Sequence, residues 1–149
     1  KFTGVQSHYH VCHYQNTILV DDSYNASLES TLLGLQSIDS SFPSQKKILI
    51  LGDILEAGDL TIPIHQKIGQ QCSTVLNLKK IITVGKYSQI ISQHAQKNGV
   101  SAKKIIHFSK VEELLEKNIL DLNDPQLIYL KGSSKISLNK VANYVKNNT

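Results

Sequence analysis

Methionine, tryptophan and arginine are absent from this chain, which holds only two cysteines and three prolines in 149 residues. Each absence narrows the reading. An open reading frame normally begins with methionine, so the chain reads as a domain excised from a longer protein, with half of a shared site outside it. Without arginine, all sixteen basic residues are lysines. They are spread along the chain, with pairs at 46–47, 79–80 and 103–104 and no long run. Nucleic-acid surfaces concentrate charge and exploit the planar arginine fork, so no nucleic-acid partner is expected. The net charge of +4 reads as a solvated surface with a mild preference for anions. Cys12 and Cys72 lack partners at metal-ligand spacing and read as buried free thiols of a reducing compartment. His8, His10 and His13 cluster near the start, but His8 and His10 alternate onto one strand face, and no metal site is expected.

No apolar run approaches the roughly 18 residues of a membrane span, and Lys1-Phe2-Thr3-Gly4 does not open a signal peptide. A cytoplasmic location is expected. Three common motifs are missing: GxGxxG of dinucleotide sites, GxxxxGK[ST] of phosphate-binding loops, and the GxSxG nucleophile elbow.

What is present is an alternation of strands and helices. Val5 to Tyr14 alternates apolar with polar residues, Gln15-Asn16 turns, and Thr17 to Val20 returns, which predicts a β-hairpin. Ser27 caps a helix whose buried stripe is Leu28, Leu32, Leu35 and Ile38. Apolar runs at 47–51, 80–84, 104–108 and 126–130 read as buried strands. Helices are expected at about 64–77, with His65 in the first turn, and at 88–97, closed by Asn98-Gly99. Two more are expected, Val111 to Lys117 capped by Ser109, and a last one capped by Ser137 and running to about Lys146. The pattern is one α/β domain over 1–149, a Rossmann-like, mostly parallel sheet flanked by helices, with an N-terminal β-hairpin.

Such a fold gathers its strand-exit loops on one rim, where ligands bind. That rim carries Asp21-Asp22-Ser23-Tyr24-Asn25, Gly52 to Gly58, Gly85-Lys86, and Lys131 to Ser134, with His65 nearby. Carboxylates, lysines, amides and hydroxyls together suit a zwitterionic or phosphorylated ligand. Structural roles compete at every position. Asp22 and Asn25 also suit a turn or cap, Asp53 an Asx-turn, Gly52 and Gly132 a tight bend, and His65 a packing or capping role.

Three motifs in order carry a resemblance: Asp21-Asp22-Ser23-Tyr24-Asn25-Ala26; Gly52-Asp53-Ile54-Leu55-Glu56-Ala57-Gly58 followed by His65; and Lys131-Gly132-Ser133. They resemble the DDSYNANP, GDMxELG…H and KGSR patterns of the carboxy-terminal domain of the Mur ligases, closest to the MurF type. The resemblance implies an ATP-dependent amide ligase of peptidoglycan synthesis. In that family ATP converts a UDP-N-acetylmuramoyl-tripeptide to an acyl phosphate, which the amine of D-Ala-D-Ala attacks. ATP and Mg²⁺ are held mainly by a central domain, and the amino-terminal and central domains are the implied partners. Carried over by position, Asp22 resembles the carboxylate that meets the ATP ribose, and Lys131 a partner for phosphate or carboxylate. Tyr24, Asn25, Asp53, Glu56 and Ser133 resemble the surface for the incoming dipeptide, with His65 as the catalytic candidate; sequence does not assign the individual jobs. Three positions depart from the pattern. Ser27-Leu28 replaces Asn-Pro, Ser134-Lys135 follows where relatives have Arg, and Thr3-Gly4-Val5-Gln6 lacks an Arg that reaches ATP phosphates. Weaker or rearranged ATP contacts are the expected result. Other readings of the same residues are a non-catalytic nucleotide or amino-acid binding module, and a ligase of the superfamily that uses another amine.

Overall fold

In the computed structural model, which describes residues 9–149, six strands form one sheet in the order β1-β2-β6-β3-β4-β5. The strands are β1 (His10–Tyr14), β2 (Thr17–Asp22), β3 (Lys47–Gly52), β4 (Leu78–Val84), β5 (Ile105–Phe108) and β6 (Gln126–Lys131). The helices are α1 (Leu28–Ser41), α2 (Thr61–Cys72), α3 (Gln89–Lys97), α4 (Val111–Glu116) and α5 (Asn139–Asn147). Only β1 is antiparallel to its neighbour, pairing His10 with Asp21 and Tyr14 with Thr17; the other pairings are parallel. The expected Rossmann-like sheet with its hairpin is therefore present. The part of the hairpin predicted over Val5–His8, and the Thr3–Gln6 segment, lie outside the described residues.

Strand alternation sorts the core into two layers. Leu49, Leu51, Leu127 and Tyr129 point to the side covered by α1, α2 and α3, where they meet Leu35, Ile38, Ile68 and Ile91. Ile48, Ile50, Ile128 and Leu130 point to the other side and meet Val111 and Leu114 of α4 and Val141 and Val145 of α5. Every residue of β3 and of β6 is buried, as continuous apolar runs in a doubly covered sheet require.

Local signals were obeyed unevenly. Ser27 caps α1 as expected, its hydroxyl accepting the Ser30 N–H at 3.1 Å. Helix α2 begins at Thr61 rather than Ile64 and stops at Cys72 rather than Asn77. Pro63 falls in its first turn, where no intrahelical N–H is needed, and His65 falls one turn later than expected. Neither Ser109 nor Ser137 is the N-cap of the helix that follows it. At α4 the Glu113 carboxylate instead takes the Ser109 and Lys110 N–H groups at 2.8 and 3.2 Å. Ser137 is left-handed (φ 64°) and ends a short 3₁₀ turn, Ser134–Ile136, ahead of α5.

Cys72 is fully buried at the end of α2, and burial pushes its thiol up from 9.0 to about 12. Between those values the unfolded chain has released a proton that the folded chain retains. Its contribution is whole below pH 9 and declines as pH rises toward 12, at about 1.4 kcal/mol per pH unit. Denaturant unfolding at a series of alkaline pH values should show a shallower loss of stability in Cys72→Ala than in the parent chain. Equal slopes would contradict this assignment.

Candidate functional site

The connection from β2 enters α1 on one face of the sheet, whereas that from β6 enters α5 on the other. Adjacent strands whose connections diverge leave a crevice at their carboxyl ends, the place where open α/β sheets bind ligands. Asp22 and Lys131 are the last residues of β2 and β6 and are directly paired in the register. Both side chains face the α1 layer, in phase with Val20 and Tyr129.

Here Lys131 Nζ lies 3.2 Å from Asp22 Oδ2 and donates to the Asn25 carbonyl at 2.9 Å. Tyr129 donates its hydroxyl to the same Asp22 oxygen at 2.7 Å. Asp22 is 5% exposed and Lys131 4%, so the pair sits just beneath the rim. The ammonium ties the end of β6 to the turn after β2. The turn is also fixed locally: the Asp21 carboxylate accepts the Ser23 N–H and hydroxyl, and Asn25 Oδ1 accepts the Ala26 N–H.

The second group of predicted residues holds the loop after β3. Asp53, 3% exposed, accepts the backbone N–H groups of Lys86, Tyr87 and Ser88 at 2.7–3.0 Å. It thereby caps the start of α3 from another strand. His65 is fully buried. Its Nε2 accepts the Ile54 N–H at 3.0 Å, which puts the ring proton on Nδ1, facing the Thr61 carbonyl at 2.6 Å. Ser133 closes the loop from the β6 side: its hydroxyl accepts the Leu55 N–H, and its N–H donates to the Asp53 carbonyl, each at 2.9 Å. The two loops meet backbone to backbone, because a Cβ on Gly132 would lie 2.8 Å from Gly52 Cα.

The structure thus brings Asp22, Asn25 and Lys131 into one network and Asp53, His65 and Ser133 into another. Tyr24 stands outside both, 78% exposed, as does the exposed Glu56, whose backbone is left-handed at φ 63°. Tyr24 also borders a groove of about 310 Å³, with His10, Asp21, Ser23, Ser134 and Asn139. Among the described residues no three His, Cys, Asp or Glu side chains converge to hold a metal ion.

Two contributors were missed. Tyr129 read as one more apolar residue in a strand, and its partner Asp22 is 107 positions away. Gly34 lies inside α1, where a Cβ would overlap the Tyr129 hydroxyl and lie 3.1 Å from Asp22 Oδ2. A mid-helix glycine costs about 1 kcal/mol relative to alanine, and that cost was the available signal of a close approach.

Removing the Asp53 carboxylate strips partners from three backbone N–H groups. Asp53→Ala should destabilise the chain by about 2 kcal/mol or more and speed amide hydrogen exchange at Lys86–Ser88. Unchanged protection there would mean that other groups hold the start of α3.

Residues 9–134 match the family model described as Mur ligase, glutamate ligase domain. The UDP-N-acetylmuramoyl-tripeptide--D-alanyl-D-alanine ligase of Bacillus subtilis is 29% identical over 126 residues, which are 83% of this chain and 26% of that protein. The ligase of the same name from Escherichia coli is 27% identical over 90% of this chain and 28% of its own length. In structure, the chain superposes on MurF from Acinetobacter baumannii with a TM-score of 0.78 at 22% identity, covering 97% of this chain and 31% of that one. MurF ligase from Thermotoga maritima, in complex with ADP, gives 0.71 at 18% identity, covering 99% and 33%. The chain spans between a quarter and a third of the length of these relatives. With the family model covering most of its length and its fold shared with these solved structures, the chain belongs to the Mur ligase family, as its glutamate ligase domain.

Proposed function

We propose that this chain is the carboxy-terminal domain of an ATP-dependent amide ligase that adds D-Ala-D-Ala to a UDP-N-acetylmuramoyl-tripeptide in cytoplasmic peptidoglycan synthesis. The observation that carries the reading is the meeting of the three motifs at one crevice. The turn after β2, the loop after β3 and the exit of β6 lie far apart in sequence, yet they are bonded into a single rim. The names of the relatives supply the substrates.

The reaction proceeds in two transfers. The tripeptide carboxylate takes the γ-phosphoryl group of ATP, and ADP leaves. The dipeptide amine then attacks the acyl phosphate, forms the amide, loses a proton and expels phosphate. The amino-terminal and central domains hold the nucleotide phosphates and the UDP-sugar peptide in this reading. Mg²⁺ travels with the ATP there. This domain closes the site, excludes water from the acyl phosphate and orients the amine.

Within that scheme the Asp22–Lys131 crevice faces the nucleotide, with Asp22 toward the ribose and Lys131 toward an anionic group. Tyr24, Asn25 and Glu56 are the side chains presented to the dipeptide. A zwitterion needs an acceptor for its ammonium and donors for its carboxylate, and exposed Glu56 and Lys86 are of those two kinds. His65, Asp53 and Ser133 act through the loop they hold, because their polar atoms engage its backbone and that of the α3 start.

Phosphate release by the full-length protein tests the assignment. With ATP, Mg²⁺ and the UDP-sugar tripeptide, D-Ala-D-Ala should stimulate release at least tenfold over single amino acids. The 149-residue chain alone should give none. Release driven by another amine would make this a different ligase of the superfamily, and no release with any amine would favour a binding module. Glu56→Ala should raise the KM for the dipeptide about tenfold and leave the melting temperature within a degree or two, as expected of an exposed side chain.

A further inference from the structure

The hydroxyl of Tyr129 is the feature of the site that packing alone does not require. Its ring is fully buried in the layer beneath α1, where a phenylalanine would fill nearly the same volume without a polar atom. Instead the chain buries a hydroxyl, which is costly unless bonded, and sets a glycine in the helix above it. A Cβ at Gly34 would overlap that hydroxyl. Both costs are offset by one charge-assisted bond of 2.7 Å to Asp22 Oδ2. Burial and the Asp22 charge raise the phenol well above its ordinary 10.0, so it remains a donor. Lys131 reaches the same oxygen at 3.2 Å.

We infer that Tyr129 is a positioning residue for the nucleotide-facing carboxylate: its hydroxyl fixes Asp22, and through Asp22 the Lys131 ammonium, while Gly34 is the notch that admits it. The inference rests on the proposed role of Asp22 and Lys131 toward ATP. Held by Tyr129, Asp22 meets an incoming ribose without rotating, and Lys131 stays beside the Asn25 carbonyl rather than folding over the carboxylate. A phenylalanine at 129 leaves the Lys131 ammonium as the partner of Asp22 among these groups, and the carboxylate loses its defined rotamer.

The geometry supplies its own control. A Cβ on Gly34 would stand 3.1 Å from Asp22 Oδ2 and 3.0 Å from the Tyr129 ring carbon that bears the hydroxyl. A serine there, over a phenylalanine at 129, fills the vacated spot with its Cβ, pushes the ring back by a few tenths of an ångström, and carries a hydroxyl one bond away, within reach of Asp22. The full-length protein is compared as parent, Tyr129→Phe and the double variant Gly34→Ser/Tyr129→Phe. Read-outs are ADP affinity by calorimetry, KM for ATP and kcat in phosphate release, and the melting temperature.

Tyr129→Phe should weaken ADP binding and raise the KM for ATP about ten- to a hundredfold, the effect of one bond to a charged group, with kcat within about twofold. The double variant should recover most of that loss. A single variant that only melts earlier, with affinity and KM unchanged, would overturn the inference. So would a folded double variant that recovers nothing. Should Tyr129→Phe fail to fold, the double variant alone decides, since it must fold and bind ADP within about threefold of the parent. Failure of the proposed function looks different. Parent protein that binds ADP but is not stimulated by D-Ala-D-Ala would sink the amine assignment and leave the Tyr129 comparison readable by calorimetry. Parent protein that binds no ADP would sink both.

Discussion

The contact on which the site depends is the ammonium of Lys131 between the Asp22 carboxylate and the Asn25 carbonyl. It joins one of the two central strands of the sheet to the turn that starts the first helix. A buried ion pair is seldom a large net source of stability, because both charges lose their water. Breaking one partner is a different matter, since it leaves a buried charge without compensation. The pair therefore acts more as a constraint than as glue: β2 and β6 must end at the same level, and the turn must fold back over β6. The register agrees, with Asp22 opposite Lys131.

The second loop is held by different means to a similar end. Asp53, His65 and Ser133 bind backbone N–H groups almost exclusively. Their side chains lock the path of 53–56 and the start of α3. What the loop then offers outward is little more than Glu56, in a left-handed conformation that is uncommon for a residue with a Cβ. Polar residues that look catalytic in a sequence are here mostly braces, and the exposed chemistry of the rim is small. That division supports the proposed reading, in which the domain presents one reactant to a site completed elsewhere.

Much of this was readable beforehand. The strands announced themselves as apolar runs at 47–51, 80–84 and 126–130, and the Ser27 cap followed local rules; of the α1 stripe Leu35 and Ile38 are buried, while Leu28 and Leu32 are half-buried. The three motifs also marked loops that the fold brings to one rim. Local sequence could not reveal the partners. The amides bound by Asp53 belong to residues 33–35 positions later, and nothing near Asp53 distinguishes such a cap from an Asx-turn. Ser109 and Ser137 misled because serine before a helix is a common cap, whereas Glu113 and a 3₁₀ turn occupy those roles. Helix α2 starts ahead of the expected position because Pro63 fits the first helical turn.

The position of β6 also has a consequence for how the chain reaches this structure. It is the last strand in sequence, yet it lies between β2 and β3. Until it arrives, the hairpin and the β3-β4-β5 ribbon share no strand pairing, and each has an open inner edge. Closing such long-range parallel pairs is slow, and open apolar edges invite pairing with other chains. During synthesis the sheet would stay in two parts, joined only by side-chain packing, until the final quarter of these residues emerges. The residues that seal the sheet, Gln126 to Lys131, are the ones that end in the ion pair, so assembly of the sheet and assembly of the site are one event.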